Sequence, residues 1–376
     1  MKVSTWGIRK STQTLALRKS VAQIDSALLP ASLRDGYGRT RRVSPSDPLP
    51  YVGIAESLTA VPNSTVFFDP SRNLLSDEIV ENEQYFPGHP LRHRKALVRA
   101  QNRLLIRLRQ SVKLREGVHL FGEYDLNYFH WLVEILPRAL AISSLIRGHS
   151  GRYGPVVIDP RLPPQQYEAL RLVLGAEAKV LRPEIDRLVF AQSWLISSPP
   201  NRVNDVFDRP YLQDFVHIDI SVMRVLSDFV TSRVGRSGRA SRAIYIQRPS
   251  GRVRSPDNQA ALISKLVAKG FEVVSPEQLS FAEQVRLFQS AAIVVAPSGA
   301  ALANMLWMQP GTTVIVLAPR HPYKAYPYWE QLAASAQLNL HILWQAPLTP
   351  IQVSGEATWH SDYHVNVSGV LRAVEG

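Results

Sequence analysis

The sequence predicts an α/β protein made of two doubly wound halves, each a mostly parallel sheet with helices on its faces. Three observations lead there. The chain has 376 residues, more than one ordinary domain, so two domains are expected. Strand-like apolar runs alternate with helix-length segments, the pattern of right-handed crossovers between parallel strands. That alternation becomes regular near Gly117 and starts over at Ala243.

The elements follow in order. Residues 1–85 are rich in Pro, Ser and Arg and weakly periodic, and read as an N-terminal extension with a few short strands, Ser64 to Phe68 among them. In the first domain, residues 86–235, Gly117 to Phe121 reads as a strand, Asn127 to Ile146 as a helix and Pro155 to Asp159 as a buried strand. Pro163 to Leu174 reads as a helix with Pro in its first turn, where a missing N–H costs little. Leu188 to Ile196 is another predicted strand, and Val206 to Val234 holds one or two helices leading out of the domain.

The second domain, residues 236–376, opens with a predicted strand from Ala243 to Gln247. A helix from Asn258 to Lys269 ends at Gly270, a residue suited to the helix C-terminus. A strand from Phe271 to Val274 precedes a short helix from Ser280 to Gln289, introduced by the capping-box pair Ser280 and Glu283. A strand from Ala292 to Ala296, a helix from Ala300 to Met308 and a strand from Thr313 to Leu317 complete the run and leave a C-terminal tail. Doubly wound halves bind ligands outside the carboxyl ends of their strands, so a cleft is expected there.

Composition narrows the function classes. Hydrophobic residues at 45% and charged residues at 20% supply an ordinary globular core. The absence of cysteine excludes disulfides, thiolate zinc sites and a cysteine nucleophile, and fits a reducing cytoplasm. Arg9, Lys10, Arg18 and Lys19 interrupt the N-terminus, so no secretory signal is expected. The charge-free stretch from Leu287 to Pro319 contains Pro297, Gly299, Pro310 and Gly311, which split it into two buried strands around a helix rather than a membrane span.

The net charge is +12, concentrated in the first 42 residues and between Leu91 and Arg115. In the second cluster Arg99, Arg103 and Arg107 lie four apart, and Leu97, Leu104, Leu105, Leu108 and Val112 recur at helical spacing. The segment therefore reads as a basic amphipathic helix, which either packs on its own domain or rests on an anionic membrane surface. Nucleic acid is not an expected partner, because neither a recognition motif nor an interleaved basic and aromatic run is present.

Three constellations carry chemistry. On the helix from Asn127, the side chains of His130, Glu134 and Arg138 form one polar stripe at successive i+4 spacing. A His with a carboxylate one turn away suits general-base work, since the carboxylate orients the imidazole and stabilises its cation. An ion-pair ladder on a surface helix is the plainer reading. The aromatic flanks Tyr128, Phe129 and Trp131 argue instead for a largely buried helix, whose ionisable groups need a cleft or partners.

Arg248, Arg252 and Arg254 follow the strand from Ala243 in a loop with Pro249 and Gly251. Three guanidinium groups there suit a diphosphate clamp, because their forked geometry matches phosphate oxygens; a solvated basic loop is the alternative. The third constellation is the turn of Ser298, Gly299, Ala300, Ala301 and Asn304, where small residues let backbone approach a ligand and a helix N-terminus offers N–H groups to an anion. It lacks the glycine spacing of a dinucleotide fingerprint or a Walker loop. The sequence also contains no Asp-x-Asp pair, HExxH or Gly-x-Ser-x-Gly. His360 and His364 have metal-like spacing but fall in the tail, and no metal site is expected.

These residues resemble the family-61 glycosyltransferases, many of them capsular polysaccharide biosynthesis proteins. Asn127-Tyr-Phe-His130-Trp-Leu-Val-Glu134-Ile-Leu-Pro-Arg138 is similar to the family's Asn-Tyr-Tyr-His-Trp, Glu and Pro-Arg signature. Arg254 to Asn258 resembles its Arg-x-x-x-Asn element, and Gly270-Phe271, Leu279 to Gln284, Gly299-Ala300, Asn304, Pro310-Gly311 and Asp362 to Val365 follow in order. The chain departs from the pattern at Ser298, usually His, at Ala303, usually Thr, and at Val316 or Leu317, where Glu is common.

The resemblance implies a GT-B-like architecture of two Rossmann-like domains facing a central cleft. It also implies an inverting transferase with no cofactor and no metal, using a nucleotide-sugar donor, UDP-sugar foremost. Arg248, Arg254, Asn258, Ser298, Gly299, Ala300 and Asn304 are expected to bind the donor. Asn127 and Arg138 are expected to line the acceptor cleft, with His130 as base and Glu134 as its orienting partner, or the reverse. The expected acceptor is a glycan or lipid-linked glycan of the bacterial surface, reached in the cytoplasm or at the inner face of the membrane through the basic segments. A catalytically silent nucleotide- or glycan-binding partner in a polysaccharide assembly complex is the other reading.

Overall fold

The computed structural model describes residues 4–9, 22–23, 52–62, 64–71, 74–75, 97–100, 103–122, 124–148, 153–184, 187–197, 201, 203, 216–249, 251–320, 326–348 and 361–375. The chain divides into two compact units, Met1–Pro200 and Asn201–Gly376.

The first unit holds strands β1 (Ser4–Arg9), β2 (Ala22–Gln23), β3 (Val52–Ala60), β4 (Phe67–Phe68), β5 (Leu74–Leu75), β6 (Leu97–Ala100) and β7 (Arg103–His119). Helix α1 is α-helical over Tyr128–His130, π-helical over Trp131–Ile135 and α-helical again over Leu136–Gly148. Strand β8 (Val156–Val157), helix α2 (Pro164–Leu174), and strands β9 (Val180–Leu181) and β10 (Arg187–Ser197) follow. The sheet runs in the order β5-β4-β3-β10-β7-β8-β9, with β1 and β6 also paired to β7 and β2 to β3. β10, β7, β8 and β9 are mutually parallel, while β3 joins β10 antiparallel.

Because β8 and β9 lie on one side of β7 and β10 on the other, the connection reverses between β7 and β10. Their carboxyl ends therefore form a topological switch point. The core beneath is built from Leu58, Phe67, Phe121, Val157, Val189 and Trp194, and the Trp194 indole N–H donates to Leu58 O at 2.9 Å.

Where it is described, over 97–100 and 103–115, the basic segment is strand and not helix. β6 and β7 form an antiparallel hairpin there, with Ala100 opposite Arg103 and Leu97 opposite Ile106. A spacing of four is even, so it satisfies the two-residue period of a strand as well as a helical turn. The deciding pattern is the alternation of Leu104, Ile106, Leu108, Val112 and Leu114 with Arg103, Arg107, Arg109, Lys113 and Arg115.

The second unit begins with helix α3 (Ile220–Val234), capped by Asp219, whose carboxylate accepts from the N–H groups of Ser221 and Val222. Strand β11 (Arg242–Ile246), helix α4 (Gln259–Ala268), strand β12 (Glu272–Val274), helix α5 (Phe281–Gln289) and strand β13 (Ala291–Pro297) follow. The capping box at Ser280 and Glu283 is present, and Gly270 takes a φ of 84° after α4. A 3₁₀ helix, Ala300–Trp307, replaces the expected α-helix, and β14 (Thr313–Pro319) succeeds it. Leu287 to Pro319 is thus two buried strands around a short helix.

The C-terminal tail is folded where it is described. Helix α6 (Pro327–Ala336), strand β15 (Asn339–Pro347), strand β16 (Tyr363–His364) and helix α7 (Val367–Glu375) complete the unit. Val367, Val370, Leu371 and Val374 give α7 an apolar face at helical spacing. The sheet order is β12-β11-β13-β14-β15-β16, parallel throughout except for β16. β12 lies on one side of β11 and β13 on the other, so the second switch point falls at the carboxyl ends of β11 and β13. Tyr245, Leu262, Leu266, Val295, Ile315, Leu317 and Tyr363 fill the core on one face.

Helix α1 is long and apolar enough to cross a membrane, but 83% of its apolar window is buried inside the protein. That burial makes it the core helix of its unit.

Candidate active site

In the first unit α1 starts just beyond the carboxyl end of β7. Asn127 caps it, its side-chain oxygen accepting from the Phe129 N–H at 3.0 Å. One turn on, His130 Nδ1 and Glu134 Oε2 are 3.0 Å apart, with the His side chain 2% and the Glu side chain 18% exposed. The rings of Tyr124 and His130 lie 4.8 Å apart, tilted by 30°. His130 immediately precedes, and Glu134 lies on, the π turn of Trp131–Ile135, where the N–H of Leu136 bonds back to Trp131 O. Such single π turns recur at functional sites because the extra residue re-aims the side chains that follow.

An unbroken α-helix would stack Arg138 above Glu134; here it enters the interior and is 1% exposed. Its guanidinium donates to Phe121 O at 2.8 Å, His119 O at 3.2 Å and Ser197 Oγ at 3.3 Å. It therefore ties the carboxyl end of β7 to that of β10 across the switch point. Burial first, and the Arg138 charge second, hold His119 well below its ordinary pKa, so its ring is neutral and its Nδ1, 3.4 Å from Arg138, can accept. His119 and Ser197 were not singled out from the sequence. Nothing in their spacing marks them, because only the sheet order makes them neighbours.

In the second unit the arginine loop leaves β11 and the small-residue turn leaves β13, so the switch point brings them together. The Arg248 Nη1 donates to Ser298 O at 3.0 Å, and its backbone N–H donates to Gln259 Oε1 at 2.9 Å. Gln259, the first residue of α4, returns a bond from Nε2 to Arg248 O at 3.1 Å. A Cβ at Gly299 would stand 2.4 Å from Arg248 Nη1, so a side chain there would displace the guanidinium from this contact. Ala300 begins the 3₁₀ helix, whose first N–H groups have no intrahelical acceptor. Ser298 is buried, its N–H bonded to Leu317 O and its hydroxyl 3.4 Å from the indole nitrogen of Trp329.

Positive charge is in excess at this point. Burial first, and the Arg254 charge second, push Arg248 down to about 10, which still leaves it charged at neutral pH. A cation whose pKa falls on folding destabilises the folded chain at every pH where it is charged, here below about 10. The Nε atoms of both Arg248 and Arg254 are buried and make no hydrogen bond among the described residues. Arg252 is exposed, and its carbonyl accepts from Ser255 Oγ.

Two further residues expected at the donor site make side-chain bonds within the unit. Asn258 bonds the backbone of Val365 in both directions, from Nδ2 to the carbonyl at 2.9 Å and from the Val365 N–H to Oδ1 at 3.0 Å. Asn304 is fully buried, linking Gln284, Ala301 O and the Trp307 indole. Both build the frame around the switch point. Among the described residues no group of three or more His, Asp or Glu side chains could hold a metal ion. His360 lies outside those residues, and His364 Nδ1 is 3.0 Å from Asp257.

The Glycosyltransferase 61 family model matches residues 128–315, half of the 376-residue chain. The span runs from α1, with His130 and Glu134, through the arginine loop and the Ser298 turn into β14. No curated protein matches the chain. With this match over half its length, the chain belongs to the glycosyltransferase 61 family, whose members transfer sugars from nucleotide-sugar donors to glycan acceptors.

Proposed function

We propose that this protein is an inverting, metal-independent glycosyltransferase of GT-B-like architecture that extends a bacterial surface or capsular glycan, free or lipid-linked. The observation that carries the reading is the clustering of two half-buried arginines, each with a buried Nε that makes no hydrogen bond among the described residues, at the second switch point. Arg248, held over Gly299 by Ser298 O, and Arg254 have nitrogen donors still to be satisfied, beside the start of a helix. A diphosphate suits that arrangement, since it accepts forked guanidinium bonds and helix N–H groups together. The same groups stabilise the leaving nucleoside diphosphate as the bond to C1 breaks, a task that metal ions perform elsewhere.

In the first unit the His130–Glu134 pair removes the acceptor hydroxyl proton as the oxygen attacks C1 from the opposite side. Glu134 is the more accessible of the two, so its carboxylate meets the acceptor and His130 holds it in place. Asn127, exposed at the start of the same helix, lies next to the acceptor. We place the reaction in the cytoplasm, consistent with a chain that has no cysteine, with the net charge of +12 drawing it to the inner membrane face.

A thermal-shift screen against UDP-, GDP- and CMP-sugars tests donor binding, because a ligand bound only by the folded state raises its apparent stability. UDP-sugars are expected to give the shift. Arg254→Ala should then weaken nucleotide-sugar binding by roughly ten- to a hundredfold, the value of one charge-assisted forked contact of about 1.5–3 kcal/mol. Unchanged affinity by calorimetry would move the diphosphate away from Arg254. Turnover should persist in EDTA; loss of activity that manganese restores would overturn the metal-independent part of the reading.

The departures at Ser298 and Ala303 lie in the donor half and favour an altered donor preference; the second reading is a catalytically silent nucleotide- or glycan-binding partner in a polysaccharide assembly complex. Donor binding with no sugar transfer to any glycan acceptor would support it.

A further inference from the structure

The arginine loop does not hold its shape alone. Arg254 has a φ of 60°, a left-handed backbone that a side-chain-bearing residue adopts only when its surroundings impose it. The imposing contacts come from the far end of the chain. The N–H of Ser255, the next residue, donates to Asp362 Oδ1 at 2.7 Å, and the Tyr363 N–H donates to Ser255 O at 3.2 Å. Pro256 pairs with Tyr363 as an isolated parallel bridge, and the Asp257 N–H reaches Tyr363 O at 3.1 Å. Tyr363 is itself anchored in the core, its hydroxyl bonded to Leu317 O at 3.1 Å. The closing segment is thus laid along the arginine loop like an added strand, fastened at a buried tyrosine.

From this geometry we infer that Asp362 is a positioning residue of the donor site, fixing the left-handed turn that aims the Arg254 guanidinium at the diphosphate. The inference rests on the diphosphate reading of the arginine loop. Within that reading, Asp362 acts against its own charge. A carboxylate beside an anion site repels the anion, so electrostatics alone predicts that removing it tightens binding. Positioning predicts the opposite, because without the acceptor the turn relaxes and Arg254 leaves its bound orientation. The bond itself is exposed, so the fold does not depend on it.

The test is calorimetric binding of inorganic pyrophosphate and of UDP to the full chain, in EDTA, with melting curves for each variant. Asp362→Ala is expected to weaken both ligands about tenfold with an unchanged melting temperature, and Asp362→Asn, which keeps the acceptor and removes the charge, to recover the affinity. If wild type binds and Arg254→Ala is weakened while Asp362→Ala binds equally or more tightly, the positioning role is overturned and the diphosphate reading stands. If Asp362→Asn fails to recover what Asp362→Ala loses, the role is overturned as well. If wild type binds neither ligand, or Arg254→Ala is unaffected, the diphosphate reading and the inference fall together.

Discussion

Glu134→Gln, which keeps the shape of the side chain and removes its charge, is expected to cut turnover by about 10²–10⁴ while leaving nucleotide affinity unchanged. The direction follows from geometry. Glu134 is the accessible member of a pair whose other member, His130, is buried and 3.0 Å away. His130→Ala should produce a loss of similar order, through the carboxylate it no longer orients. Two groups acting as one unit are non-additive, so the double variant should be little worse than the poorer single. Donor affinity is the internal control, because the arginine loop belongs to the other unit. Full turnover in both Glu134→Gln and His130→Ala would show that the pair is structural, and melting curves must accompany the rates, since His130 packs against Tyr124 and Phe129.

The largest stability effect is expected at Arg138. Arg138→Met keeps an unbranched side chain but withdraws the donors for Phe121 O and His119 O. Each buried carbonyl left without its donor costs about 1–3 kcal/mol, and hydrogen bonds to a charged donor fall at the upper end. The sum is on the order of 3–5 kcal/mol, comparable to breaking a buried charged network. Denaturant unfolding should show the shift in the midpoint of the first unit. A change below about 1 kcal/mol would mean that the strand ends close without the arginine. Arg138→Lys should not rescue, because a single ammonium cannot match a fork that reaches two carbonyls and Ser197 at once.

Legibility in the sequence tracked local physics. The capping box at Ser280, the glycine after α4 and the buried strands around Ala300 are all encoded by residues within one or two turns of each other. The pairing of His130 with Glu134 was also readable, because an i+4 spacing is a contact on any helix. The hairpin of β6 and β7 was misread for the same reason that makes such spacing useful: four is a helical turn and also an even number, and only the full alternation separates the two. In the C-terminal segment the two-residue β16 carries no period, whereas α7 does carry a helical one and was legible in the sequence.

By itself the sequence determined the class of the protein, the two runs of alternating strands and helices, and the identity of the residues that carry charge near the strand ends. What only the tertiary structure decided is the use of each residue. Arg248, Ser298 and Gly299 meet because β11 and β13 are neighbours, a fact of sheet order that no local pattern contains. Arg138, Asn258 and Asn304 are site candidates in the sequence, and the fold gives their side chains backbone and indole partners that no local pattern contains. Polar satisfaction is settled among atoms distant in the chain, so it becomes legible only once the chain has closed on itself.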